Sequence, residues 1–408
     1  MARPMFSARF NHTPESNPLW DALQSRKAMG KPVLDLTRSN PTAADIPYPA
    51  SLPALLSRPD MLRYEPTPKG LPEARRAIAA YLAPRKVDPE DLLLTSSTSE
   101  AYAFLFKLLC DPGDEVLIPT PTYPLFDALA ELDHVELVRY PLRQMPGAAG
   151  APSRWRADFP ILRNLVSTRT KALILVSPNN PTGHIADAVE IAGYLQLAAD
   201  HDLALIVDEV FSGYLFGGAA CPPVPCQGPL VFTLNGLSKL AGLPQLKLGW
   251  IHVAGKASEV RTALSHLEWI ADAYLSVNTP VQAACADLLA LAPAIRRAIT
   301  ARLEGNLRTA AQMTGASTPS VRALMPEAGW SVVLEIATHP KSGGRVLDDD
   351  EFALGLIEQA GVYLHPGNLF GFEQEDGRIH LVASLLTPEA EFQAGLRSLI
   401  AHTEAANG

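Results

Sequence analysis

The chain reads as an α/β protein, a doubly wound and mostly parallel sheet followed by a smaller α+β unit. Three observations point there. First, six short apolar runs recur: DLLLT (91–95), EVLIP (115–119), KALILV (171–176), LALIVDEV (203–210), LVFTL (230–234) and LGWIHV (248–253). Continuous apolar runs of this length suit strands covered by helices on both faces. Second, helical patterns lie between the runs, so strand and helix alternate over about 55 to 280. Third, the pattern changes after residue 280, where a long helical stretch precedes a few strands and helices.

The elements follow in order. From Leu71 to Leu82, Pro72 suits a first helical turn, and Leu71, Ala74, Ile78, Tyr81 and Leu82 line one face. Ser99 to Leu109, Asp187 to Ala199 and Lys256 to Leu275 read the same way. Beyond them come a helix over 281–313, the strand GWSVVLEI (329–336), a helix near 350–360, then VYLHPG and RIHLVASLL. We expect three units: an N-terminal arm that completes the small domain (1–50), a large domain (51–280) and a small C-terminal domain (281–408).

Composition narrows the function classes. The 408 residues are 47% hydrophobic and 19% charged, ordinary for a globular enzyme, and 36 prolines imply many fixed turns. A net charge of −9 argues against a nucleic-acid surface, which needs clustered basic groups. Cys110, Cys221, Cys226 and Cys285 form no disulfide framework, and CPPVPC has no second nearby pair with which to hold a metal. Every long apolar run is cut by Asp, Glu or Pro, and MARPMFSARF has no apolar stretch fit for a signal peptide. These features fit a soluble cytoplasmic protein with no membrane partner.

In open α/β sheets ligands bind beyond the carboxyl ends of the strands, so residues just after the apolar runs carry the chemistry. After LVFTL, Lys239 stands in NGLSKLAGLPQLKLGW, and Lys247 follows eight residues later. A lysine at a strand end near apolar walls loses its proton cheaply and can form a Schiff base with an aldehyde; a nearby cation can hold that cofactor's phosphate. A surface lysine after a strand is the plain alternative. After LLLT, the turn SSTSEA opens a helix. The N–H groups and hydroxyls of Thr98 and Ser99 would make an anion site there, although any Ser/Thr run also supplies an N-cap. Tyr123, in PTPTYPLFD, can stack on a planar ring or simply join the core. Asn180, in SPNNPTG, can hydrogen-bond a phenolic oxygen or serve a turn. Asp208 follows five apolar residues and needs a cationic partner: a protonated pyridine nitrogen, an Arg or a helix N-terminus.

Taken in order, YEPTPKGLPEARRAIAAYL (64–82), TSSTSEA, PTPTYPLFD, SPNNPTG, VDEVF and SKLAGLPQLKLGW resemble the class I and II aminotransferases, fold-type-I enzymes dependent on pyridoxal 5'-phosphate. The resemblance runs from about Leu34 to Leu386. It implies a seven-stranded sheet and a homodimer with shared active sites. Lys239 is then the Schiff-base lysine and proton shuttle. Asp208 holds the pyridine nitrogen, Asn180 bonds the ring hydroxyl and Tyr123 stacks on the ring. Thr98, Ser99 and Lys247 hold the phosphate, with Tyr64 reaching it from the neighbouring subunit.

Four positions depart from the family pattern. Phe211 stands where a tyrosine usually bonds the ring oxygen, with Tyr214 as a possible substitute donor. Gly236 stands where a phosphate-binding serine is usual, so Asn235 or Ser238 must compensate. Lys247 replaces an arginine, keeping the charge but losing the fork. The strand RIHLVASLLTP lacks the arginine that clamps a substrate carboxylate, and its slot falls on Val382. Arg378 lies four residues, roughly 13 Å, from that slot and cannot replace it. The substrate carboxylate is then left to N–H groups near Asn40, to Arg38 or to His380.

The expected reaction moves an amino group between an amino acid and a 2-oxo acid. Alternatives are another reaction on the same cofactor (β-elimination, decarboxylation or racemisation) or a non-catalytic cofactor-binding regulator. Fold alone does not choose among them.

Overall fold

The computed structural model describes residues 7, 9, 17–145, 154–225, 227–314, 318, 320–337, 347–373 and 378–407. The main sheet holds β1 (Leu92–Thr95), β2 (Glu115–Thr120), β3 (Glu136–Met145), β4 (Arg154–Ala157), β5 (Thr170–Val176), β6 (Ala204–Asp208), β7 (Val231–Gly236) and β8 (Gly249–Ala254). Their spatial order is β1-β8-β7-β6-β5-β2-β3-β4. The pairs β2–β3, β2–β5, β5–β6 and β6–β7 are parallel, whereas β8 is antiparallel to both β1 and β7.

Side chains alternate cleanly across this sheet, and both faces are buried. Val116 and Ile118, Ala172 and Ile174, and Ala204 and Ile206 join one apolar cluster. Leu117, Leu173, Leu175, Leu205 and Val207 join another on the opposite face. The helices Thr98–Leu109 and Ala257–Tyr274 cover the first, and Ala188–Asp200 covers the second. Apolar runs without alternation follow from this two-sided cover.

The sheet has eight strands where seven were expected. The added strand, β4, pairs antiparallel with β3 at the edge, Leu142 opposite Ala157. Its sequence, RWRA, and the mixed exposure of β3 reflect one solvated side, so neither segment carries a long apolar run.

A second sheet of four antiparallel strands follows: β9 (Val321–Leu324), β10 (Ser331–Ala337), β11 (His365–Pro366) and β12 (Arg378–Ser384), in the order β9-β10-β12-β11. The N-terminal segment is tied to this half of the chain by a parallel two-residue pairing, Leu34–Asp35 with Val362–Tyr363. The helices Cys285–Met313 and Glu389–Asn407 share one buried cluster with Leu36, Ile46 and β10. The expected helix over 281–313 is thus two, Thr279–Ala283 and Cys285–Met313. The C-terminal helix, not expected from the sequence, buries Phe392, Leu396, Leu399 and Thr403 at helical spacing.

Candidate active site

Strand β6 ends on Asp208, which lies opposite Val176 at the end of β5 and Leu234 of β7. Beyond Val176 comes the SPNNPTG turn; beyond β7 a short helix, Leu237–Leu240, carries Lys239. Neighbouring parallel strands therefore deliver Asn180, Asp208 and Lys239 to one end of the sheet. They line a cavity of about 140 Å³ with Ser39, Tyr123, Phe126, Val176, Val210, Phe211, Trp330 and Ser331. Four of the sequence-derived site residues, Tyr123, Asn180, Asp208 and Lys239, meet there.

Asp208 is buried, and two donors fix it. The Tyr102 hydroxyl donates to Oδ2 at 3.0 Å and the Val210 N–H to Oδ1 at 3.1 Å. Burial raises its pKa above the ordinary carboxylate value, while these hydrogen bonds and the Lys239 charge oppose the rise. Burial lowers the Lys239 pKa, with Asp208 pulling the other way. The Lys239 ammonium lies 5.7 Å from the centroid of the Trp330 ring. A lysine so placed sheds its proton more readily than one in water.

Asn180 accepts a hydrogen bond from the Ser331 hydroxyl at 3.1 Å. Its neighbour Asn179 is the structural one. That side chain is buried and donates to Pro121 O and Thr182 Oγ1, which fixes the turn. Tyr123 is 46% exposed, so it forms the open wall of the cavity and not part of the core.

A second group of candidate residues lies at the start of the helix Thr98–Leu109. Ser97 caps it, accepting from the Glu100 N–H, and Glu100 accepts from the Ser96 N–H. Capping thus falls to Ser97, leaving Thr98 and Ser99 half-buried at the first helical positions. Gly249 pairs with both Thr95 and Gly236, which draws this turn against the lysine turn. A Cβ on Gly249 would sit 3.1 Å from Thr95 Oγ1 and 3.2 Å from the Ser97 carbonyl carbon. Ser238 is half-buried on the lysine helix, and Lys247 is exposed in a left-handed conformation at φ 57°. Among the described residues Lys247 has no ion-pair partner, and Tyr64 is 63% exposed.

Several side chains singled out in the sequence are engaged elsewhere. Tyr214 gives no hydroxyl to the cavity, because its O–H donates to the main-chain oxygen of Lys239 at 2.6 Å. Asn235 is engaged with its own backbone surroundings, donating to Glu209 O and accepting from the Gly236 N–H. None of the side chains of Arg38, Asn40 and His380 lines the cavity, but Ser39, between the first two, does. Arg38 is drawn to Glu391 at 3.3 Å. The Asn40 carboxamide caps the following turn by accepting from the N–H and hydroxyl of Thr42. His380 is buried, stacked on Phe372 at 4.7 Å, in a separate polar cleft with Glu335 and Arg378. Val382 lies in an apolar cluster with Leu324, Val333, Phe370 and Phe372.

Sequence reasoning missed Ser39, Tyr102, Trp330 and Ser331. Ser39 lies between the two residues chosen from TRSNPT, and Tyr102 lies one helical turn past Thr98. Trp330 and Ser331 begin a strand far along the chain, with no local signal tying them to the sheet.

No helix among the described residues is long and apolar enough to cross a membrane, and no group of metal-ligating side chains gathers there. The family profile described as aminotransferase class I and II matches residues 32–392. Glutamate-pyruvate aminotransferase of Escherichia coli K12 is 27% identical over 360 residues, covering 85% of each chain. Nicotianamine aminotransferase 1 of rice, Oryza sativa subsp. japonica, is 26% identical over 321 residues, 76% of this chain but only 62% of that protein's length. The crystal structure of an aminotransferase from Escherichia coli superposes with a TM-score of 0.85 at 23% identity, covering 100% of both chains. With that likeness of fold and a profile match over nearly its whole length, the chain belongs to the class I and II aminotransferases.

Proposed function

We propose that the protein is a pyridoxal-phosphate-dependent aminotransferase, moving an amino group between an amino compound and a carbonyl acceptor, in the simplest case an amino acid and a 2-oxo acid. One observation carries this reading: a buried carboxylate, Asp208, and a half-buried lysine of lowered pKa, Lys239, line one cavity at the ends of adjacent strands. The donor set fits the cofactor. Asp208 suits a ring nitrogen, Asn180 a ring oxygen and Tyr123 a ring face. Gly249 approaches Thr95 and Ser97 on one side and Gly236 on the other, which supports a phosphate held by the N–H groups of Thr98 and Ser99 with help from Ser238 and Lys247. When bound, pyridoxal phosphate supplies an aldehyde that condenses with amines and a ring that delocalises charge left on carbon.

The chain's own residues do the rest. Asp208, fixed by Tyr102 and Val210, would hold a proton on the ring nitrogen. Lys239 Nζ would take a proton from the reacting carbon and give it back, a task suited to an amine of lowered pKa. The walls of Phe126, Phe211 and Trp330 limit water near that nitrogen.

The exposure of Tyr64 and of its neighbour Leu62, 83% exposed, supports a homodimer in which Tyr64 reaches the adjoining protomer's phosphate. Unpaired Cys110, Cys221 and Cys285 suit a reducing cytoplasm. Borohydride reduction of the cofactor-loaded enzyme should label Lys239, and Lys239→Ala should abolish amino transfer. A label on Lys247 would end the assignment. Mixed dimers of Tyr64→Phe and Lys239→Ala should regain one intact site.

A further inference from the structure

Lys239 stands on a helix of only four residues, Leu237–Leu240, whose N-cap, Gly236, offers no side chain. A single turn holds itself poorly, because its nucleus fixes several residues for very few hydrogen bonds. The seat of a lysine on such a turn must come from outside it. Two tyrosyl hydroxyls from distant parts of the chain supply it. Tyr214 donates to the Lys239 main-chain oxygen at 2.6 Å, and Tyr48, from the N-terminal segment, donates to the Gly242 oxygen at 2.5 Å.

Of the two, Tyr214 is also tied to the rest of the site. It follows Asp208 along a segment wound into successive turns. The Val210 N–H donates to the Asp208 carboxylate, the Ser212 N–H to Glu209 O at 2.9 Å and the Tyr214 N–H to Phe211 O at 2.9 Å. Acid and tyrosine therefore move as one piece. The Tyr214 main-chain oxygen accepts from the Gly329 N–H at 2.9 Å, and Leu215 bridges to Ala328. Its ring meets Trp330 edge-on at 5.1 Å, and that indole ring in turn has Lys239 Nζ 5.7 Å from its centroid. Tyr214 is fully buried, and burial raises its pKa, so the hydroxyl stays a donor.

We infer that Tyr214 is a positioning residue for Lys239: its hydroxyl fixes the lysine turn relative to Asp208 and seats the amine against Trp330. Asp208 and Lys239 must reach two separate atoms of one bound ring, so the spacing between them has to be held by the protein. Tyr214 holds it through the main chain of Lys239 and does not itself line the cavity. This rests on the reading of Lys239 as the reacting lysine.

Tyr214→Phe keeps the ring, its contact with Trp330 and the main-chain bonds, and removes the hydroxyl alone. Tyr48→Phe is the comparison, since it removes a hydrogen bond of the same kind from the same loop, at Gly242. Burial lowers the Lys239 pKa, so a lysine whose seat loosens gains water and its pKa rises. The readout is the pH midpoint for acetic anhydride labelling of Lys239 in the full-length chain without cofactor, read by peptide mass, with circular dichroism reporting the fold. Tyr214→Phe should raise that midpoint by roughly half a pH unit or more, and Tyr48→Phe should leave it in place while losing comparable stability to urea. In the loaded enzyme Tyr214→Phe should lower kcat about tenfold with KM little changed, because small displacements of a reacting group are costly. A wild-type midpoint and kcat in Tyr214→Phe, with stability alone reduced, would overturn the proposal. Equal midpoint shifts in the two variants would overturn it too, since any loosening of the loop would then suffice. A missing borohydride label at Lys239 in the loaded wild type would instead end the transamination reading, and this role with it.

Discussion

The Tyr102 hydroxyl donates to Oδ2 of Asp208, and both groups are buried, so the tyrosine is one of two donors that hold the site's acid in place. Hydrogen bonds to charged groups contribute about 1.5–3 kcal/mol. Tyr102→Phe should therefore weaken binding of pyridoxal phosphate about tenfold or more and lower kcat. Titration of the apoenzyme by absorbance checks this, with circular dichroism confirming the fold. Unchanged affinity and rate would mean that the Val210 N–H alone suffices.

Behind the SPNNPTG turn, His184 is buried with Nε2 3.2 Å from Glu190 and Nδ1 3.6 Å from Glu327. Burial would lower its pKa, but the two carboxylates outweigh burial and raise it. A raised folded pKa gives stability that is full below the unfolded value of about 6.5 and is lost as pH rises through the folded value. Unfolding by urea should therefore show that stability falling on the alkaline side of 6.5. His184→Gln should flatten that part of the profile. Glu327 has a lowered pKa, through His184 and Arg154 acting against burial, and its share is lost as pH falls below the ordinary carboxylate range.

Gly236 explains one departure from the family pattern. A Cβ there would lie 2.8 Å from the Leu248 carbonyl oxygen and 2.9 Å from the Gly249 Cα. A serine would force β7 and β8 apart at the lysine turn. Gly236→Ser should then destabilise the protein by about 1–3 kcal/mol, the usual range for overpacking, and should not improve cofactor affinity. Chemical denaturation alongside cofactor titration would show whether both hold.

Phe211 lines the cavity and meets Trp330 edge-on at 5.6 Å, with no hydroxyl to give. With Tyr214 committed to Lys239 O, Phe211→Tyr should add a donor facing the cofactor and stabilise its deprotonated form. The pH midpoint of the visible spectrum should move down. A midpoint that stays in place would mean the new hydroxyl is turned away.

The parallel core of the sheet was legible because its strands are covered on both faces, which leaves an unbroken apolar run wherever a strand lies. Strands β3 and β4 were not, since one solvated side admits Arg, Gln and Glu. Lys239, Asp208, Asn180 and Tyr123 were legible because they follow such runs immediately. The substrate side was illegible for a different reason. Ser39, Trp330 and Ser331 come to the cavity through long-range packing, and Arg38 and His380 are drawn to Glu391 and into the Glu335 cleft, which no local pattern reveals.

Thr95 finds its strand partner only at Gly249, and Gly249 is also the residue that faces Gly236. During synthesis the strand Leu92–Thr95 therefore waits, unpaired, while most of the sheet is made. A nascent chain that ends before Gly249 has the lysine but not the strand that joins the Ser97 turn to the lysine turn. Closing this last edge and bringing the Ser97 turn up to the lysine turn become the same event, late in the making of the sheet.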